Sequence, residues 1–104
     1  MKRVLVCEDE ASIREFVVIN LKRSGYEVVE AGSGEEALQK FEEEQGNMDI
    51  ALLDIMLPGM DGFAVCRELR ERSHNMGIII LSARMQFCGL LHNGRYGLAY
   101  GLCT

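Results

Sequence analysis

Four short apolar runs, each closed by polar or turn-forming residues, set the limits on what this 104-residue chain can fold into. Arg3-Val4-Leu5-Val6-Cys7, Ile50-Ala51-Leu52-Leu53 and Ile78-Ile79-Ile80-Leu81 are continuous, as strands covered on both faces require. Tyr26-Glu27-Val28-Val29-Glu30-Ala31 instead alternates. Between these runs lie segments with helical signals. Ser12 with Glu15, and Ser33 with Glu36, have the spacing of capping boxes. Ile13, Phe16, Val17, Ile19, Asn20 and Leu21 form the stripe expected to face inward from the first helix, which ends near Gly25. Ala37, Leu38 and Phe41 do so for the second, and Phe63, Cys66 and Leu69 for a third over 63–72. The order β-α-β-α-β-α-β predicts an α/β fold, a doubly wound parallel sheet with helices on both faces. Ile50, Leu52 and Leu53 are expected in its core.

Composition narrows the function classes. The chain is long enough for one core and no more. No apolar run approaches the roughly 18 residues of a membrane span, and only four apolar residues follow Met1-Lys2-Arg3, too few for a secretory leader. A cytoplasmic location is the expectation, with no membrane partner. Cys7, Cys66, Cys88 and Cys103 form no C-x-x-C pair, so they read as small apolar residues or free thiols. The net charge of −5 argues against direct nucleic-acid binding. The charge is also uneven: residues 1–71 carry all 16 acids and a net −8, whereas 72–104 carry +3.

Chemistry gathers at the strand ends. In an open parallel sheet, ligands bind at the carboxyl ends of the strands, and three of the four runs stop there on polar residues: Glu8-Asp9, Asp54 and Ser82. Carboxylates brought together repel one another, and a hard cation such as Mg²⁺ relieves that repulsion. A metal-neutralised Asp can attack phosphorus to form an aspartyl phosphate. The same residues would also serve as helix or turn caps, and spacing alone leaves both readings open. Gly32-Ser33-Gly34 lacks the Gly-Lys-Ser/Thr ending of a phosphate loop and reads as a turn plus cap. His74 and His92 lie in no triad-like setting and read as surface residues.

Three stretches resemble the receiver domains of bacterial two-component response regulators. They are Val4-Leu5-Val6-Cys7-Glu8-Asp9-Glu10, Leu52-Leu53-Asp54-Ile55-Met56-Leu57-Pro58-Gly59-Met60-Asp61-Gly62 and Leu81-Ser82-Ala83-Arg84. The middle one is the most specific, with Pro58 four and Gly62 eight residues after Asp54. The Ser-Ala-Arg flavour is similar to regulators that carry a winged-helix DNA-binding domain. The resemblance implies a flavodoxin-like receiver with strand order 2-1-3-4 and an uncertain fifth strand. It implies Asp54 as phosphoacceptor and Ser82 as switch hydroxyl. Glu8, Asp9, Asp54 and the backbone carbonyl of Met56 would hold Mg²⁺. The chain would be a signalling module, not an enzyme, taking its phosphoryl group from a sensor histidine kinase.

The resemblance covers residues 1–84, the expected receiver core. Residues 85–104 form an atypical glycine-rich tail where the family has its fourth helix, fifth strand and fifth helix. Family spacing puts a Lys near Thr104, but no Lys follows Lys40. Tyr100 sits one position from the usual switch aromatic. Either a shifted reading frame after about Arg84 or a genuine, evolved short tail would account for this. The alternative function is a truncated, poorly phosphorylated receiver that acts as an interaction module. Without a proper fifth strand, Ile78–Leu81 becomes an uncharged apolar edge, which favours self-association. A dimer is expected in preference to Leu98–Cys103 folding back as a makeshift strand.

Overall fold

The computed structural model describes residues 2–81 and 100–102. Its elements are β1 (Arg3–Cys7), α1 (Ala11–Arg23), β2 (Glu27–Ala31), α2 (Gly34–Glu43), β3 (Ile50–Asp54), α3 (Gly62–Arg72), β4 (Gly77–Leu81) and β5 (Tyr100–Leu102). They form one sheet in the order β2-β1-β3-β4-β5. The first four strands are parallel, with Val6 opposite both Glu30 and Leu52, and Asp54 opposite Leu81. The expected doubly wound order 2-1-3-4 is therefore present.

The fifth strand corrects an expectation. Tyr100–Leu102 pairs antiparallel with β4, placing Leu102 opposite Ile79 and Tyr100 opposite Leu81. Over Ile79–Leu81, β4 is therefore not a bare edge but carries a paired strand. Within one chain the fold-back has an entropic advantage over pairing with a second copy. Closing a loop within one chain costs little more as the loop lengthens, whereas association sacrifices the freedom of a whole second molecule.

Strand alternation sorts the side chains onto two faces. Leu5, Cys7, Ala51, Leu53, Ile78 and Ile80 point toward α2 and α3 and join Ala37, Phe41, Val65, Cys66 and Leu69 in the main core. Val4 and Val6 point the other way and meet Val18 of α1, with Ile50 and Leu52 packed half-buried beside them. The expected burial of Leu53 holds, but Ile50 and Leu52 are only half-buried.

Local details explain the helix positions. Ser33 caps α2, its hydroxyl accepting the Glu36 N–H at 3.1 Å, while the Glu36 carboxylate accepts the Gly32 N–H at 2.8 Å. Ser12 does not cap α1. That helix begins at Ala11, two residues earlier than a Ser12 cap would start it, with Glu10 at the cap position and no side-chain cap bond; the Ser12 hydroxyl sits 3.4 Å from the Glu10 carboxylate instead. Asp61 caps α3 by accepting the Ala64 N–H at 2.8 Å. Gly34 lets α2 and α3 approach, since a Cβ there would lie 2.6 Å from Val65 Cγ2. Cys7 is a free thiol, as expected. Cys66 is fully buried in the main core.

Candidate metal and phosphoryl site

The parallel register brings the carboxyl ends of β1 and β3 side by side. Cys7 pairs with Leu53, so Glu8 and Asp54 follow at adjacent strand ends. Each of Glu8, Asp9 and Asp54 offers a carboxylate oxygen, and these oxygens all lie within 4.8 Å of one another. Glu8 and Asp54 are only 5% and 3% exposed, whereas Asp9 is half-open to solvent. The cluster is thus recessed and has one accessible member.

Glu8 is held from several directions. Its N–H donates to the Ala31 carbonyl at 3.1 Å, prolonging the β1–β2 ladder by one residue. Its Oε2 accepts the Glu10 N–H at 2.9 Å, and its carbonyl accepts Arg14 Nη1 at 2.7 Å. Asp54 is held from its own loop, with Oδ1 accepting the Met56 N–H at 3.1 Å. This is the side-chain-to-backbone turn that Asp makes readily. The Ile55 N–H donates to the Leu81 carbonyl, and the Gly62 N–H to the Ile55 carbonyl. The loop after β3 therefore closes over the strand end before α3 starts. Gly62 is required at this closure, because a Cβ there would stand 2.4 Å from the Asp54 carbonyl oxygen. Gly59 supplies a positive φ of 77° in the same loop, and buried Leu57 anchors it. The Met56 side chain is 53% exposed.

Cys7 lies at the end of β1, just before this cluster. Its Sγ donates to the Ser33 carbonyl at 3.2 Å. Burial, then the negative charges of Asp54 and Glu8, push its thiol up to about 12. It stays protonated and packs as a small apolar group.

The donor set fits a hard divalent cation. Three carboxylates supply only oxygen, and a cation that keeps some of its water suits one or two of them. Glu8, Asp9 and Asp54, expected together from the sequence, are together. Ser82, another expected site residue, lies outside the described residues. The roles of two residues that shape the site went unread in the sequence. Arg14 looks like one more charge on α1, and the Asp61-Gly62 pair signals a helix start without revealing how closely Gly62 approaches Asp54.

Residues 4–91 match the family model described as the response regulator receiver domain. The chain belongs to that family. Over 83 residues it is 46% identical to the alkaline phosphatase synthesis transcriptional regulatory protein PhoP of Bacillus subtilis, a match covering 80% of this chain and 34% of that protein. It is 48% identical over 82 residues to the probable transcriptional regulator ycf27 of Cyanophora paradoxa, covering 79% of this chain and 33% of that one. This receiver thus spans about a third of the length of the curated relatives it matches. Among solved structures, the response regulator TrrA of Thermotoga maritima bound to Mg²⁺ and BeF aligns with a TM-score of 0.75 and 44% identity, covering 84% of this chain and 74% of TrrA. TrrA has also been solved in complex with the histidine kinase ThkA, and that copy aligns with a TM-score of 0.73.

Proposed function

We propose that this receiver is a cytoplasmic, phosphorylation-dependent signalling module that accepts a phosphoryl group on Asp54 from the phosphohistidine of a sensor histidine kinase. The observation that carries the reading is the recessed grouping of Asp54 with Glu8 and Asp9 at the carboxyl end of the central strands. TrrA, with its Mg²⁺–BeF and kinase complexes, supports the same reading. In the step itself an Asp54 carboxylate oxygen attacks phosphorus, the phosphorus–nitrogen bond of the donor breaks, and the imidazole nitrogen keeps the electron pair. Glu8, Asp9, Asp54 and the Met56 carbonyl would hold Mg²⁺, which when bound neutralises the carboxylates and the incoming phosphoryl oxygens. The Met56 N–H donates to Asp54 Oδ1 and so orients the carboxylate. Burial of Glu8 and Asp54 keeps competing water away from the acyl phosphate. Ser82, from the segment after β4, would donate its hydroxyl proton to the phosphoryl group and report its arrival. Residues 1–84 act as the receiver core in this reading.

A second reading is an interaction module that binds a kinase but takes up phosphoryl poorly. The absence of any Lys after Lys40 favours it, because the product then lacks a charge-assisted contact to its phosphoryl oxygens. Incubation with Mg²⁺ and acetyl phosphate, or with beryllofluoride, separates the two. The first reading expects slow formation of a stable adduct on Asp54 and none on Asp54→Asn. Equal labelling of the two chains would overturn it, and kinase binding without any adduct would establish the second.

A further inference from the structure

We propose that Arg14 is a positioning residue for the acidic site, fixing the Glu8–Asp9 peptide so that both carboxylates are set for a divalent cation before it binds. The inference rests on the metal-binding part of the function proposed above. Arg14 lies in the first turn of α1, and its guanidinium reaches two other elements. Nη1 donates to the Glu8 carbonyl at 2.7 Å, and Nε lies 3.4 Å from Glu30 Oε1 on β2. It is also fitted against the turn after β2, where a Cβ on Gly32 would come within 3.3 Å of Nη1.

The consequence follows from peptide planarity. The Glu8 carbonyl belongs to the rigid unit joining Glu8 to Asp9, so anchoring that oxygen fixes the direction in which Asp9 leaves the strand. The Glu8 N–H is already bonded to Ala31 and its Oε2 to the Glu10 N–H. With Arg14 in place, the β1–α1 junction is tied to β2 on one side and to α1 on the other. A carboxylate pair held this way pays little ordering entropy on binding a cation. Lys cannot replace this arrangement fully, because a single ammonium lacks the planar fork that serves two partners at once.

The test compares the unsubstituted chain with Arg14→Ala, Arg14→Lys and, as a control, Arg72→Ala. Arg72 is also two-pronged, with Nη1 2.8 Å from Glu68 and Nε 3.2 Å from Glu42, but it lies on α3 away from the cluster. Mg²⁺ affinity is measured by calorimetry well below each melting temperature, and exchange of the Glu10 amide is followed by NMR without metal. Arg14→Ala is expected to weaken Mg²⁺ about tenfold, as loss of an outer-shell partner does, and to speed exchange at Glu10 beyond any change at β3. Arg14→Lys should recover part of the affinity, and Arg72→Ala should lower the melting temperature without moving it. If Arg14→Ala does not fold, the affinity of Arg14→Lys decides alone. Arg14 variants with unchanged Mg²⁺ affinity would overturn the inference and leave the proposed function standing. An unsubstituted chain that binds no Mg²⁺ would overturn both.

Discussion

The two faces of the sheet are packed to different degrees. On the α2/α3 face, Leu5, Ala51, Leu53 and Ile78 are fully buried. On the α1 face, Ile50, Leu52, Ile79 and Leu81 from the neighbouring strands are only half-buried, and α1 itself buries Val18 alone. Phe16 and Ile19 of that helix are 69% and 43% exposed. The dry face supplies cohesion. The other face holds the chemistry: Asp54 follows Ile50 and Leu52 in the alternation of β3, and a small cavity lined by Val6, Ile13, Val17, Leu52 and Leu81 adjoins Glu8 and Asp54. The contrast teaches that adjacent residues of a central strand can carry different loads.

Leu53 and Leu52 test this most directly. Leu53→Ala empties a fully packed position and is expected to cost about 4 kcal/mol, near the upper end of such truncations. Leu52→Ala should cost roughly half as much, because less apolar area leaves water when it is half-buried. Urea denaturation of the two variants measures both. Equal losses would break the distinction between the faces.

Gly62→Ala asks whether the site depends on backbone contact as tightly as the core depends on side chains. The added methyl collides with the Asp54 carbonyl oxygen, which belongs to the backbone and cannot rotate away. Overpacking of this kind costs roughly 1–3 kcal/mol. The displaced Asp54 should also lose Mg²⁺ affinity. A variant with unchanged melting and unchanged Mg²⁺ titration would show that the loop after β3 has slack.

The sequence disclosed these regions unequally, for physical reasons. Strands buried on two faces need unbroken apolar runs, so β1, β3 and β4 stand out against their charged surroundings. Helices need only a stripe, and α1 carries apolar residues at 13, 16, 17, 18, 19 and 21, enough to support more than one inward face. Phe16 and Ile19 were expected to face inward, yet Val18 takes that place. In α3, Phe63 was expected inside but is 52% exposed, while Val65 beside it is fully buried. Glu8, Asp9 and Asp54 were legible because a parallel sheet brings its strand ends together whatever the helices do. Arg14 and Gly62 were not. Their roles depend on a carbonyl oxygen brought close by tertiary folding, and no residue pattern encodes that.

Asp54→Asn is expected to act in the opposite direction, because a residue kept for binding should be costly to stability. Removing one carboxylate from a cluster with oxygens within 4.8 Å relieves repulsion, a gain of about 1–2 kcal/mol in a partly screened setting. Without metal, the variant should melt higher than the unsubstituted chain. With Mg²⁺ the order should reverse, since ligand binding stabilises only the chain that binds. A variant that melts lower in both conditions would mean that Asp54 is held by favourable contacts outweighing the repulsion.

Cys7 gives the smallest effect and the finest test, because it belongs to the dry face yet ends next to the acidic site. Its thiol is raised from an ordinary 9.0 to about 12, by burial first and by the charges of Asp54 and Glu8 after it. The folded chain therefore holds this proton more tightly than the unfolded chain does. Its contribution to stability is complete below pH 9 and is lost as pH rises from 9 toward 12. Cys7→Ala removes the titration along with the sulfur. Relative to that variant, the unsubstituted chain should lose on the order of 1 kcal/mol between pH 8 and pH 10. The thiol should also resist alkylation at pH 8 until the whole domain unfolds, since only the thiolate reacts. Denaturation curves for the two chains at several alkaline pH values carry the first measurement, and iodoacetamide labelling in increasing urea the second. Parallel pH profiles, or labelling of Cys7 before the unfolding transition, would mean that water reaches the end of β1 and that the dry face stops short of the site.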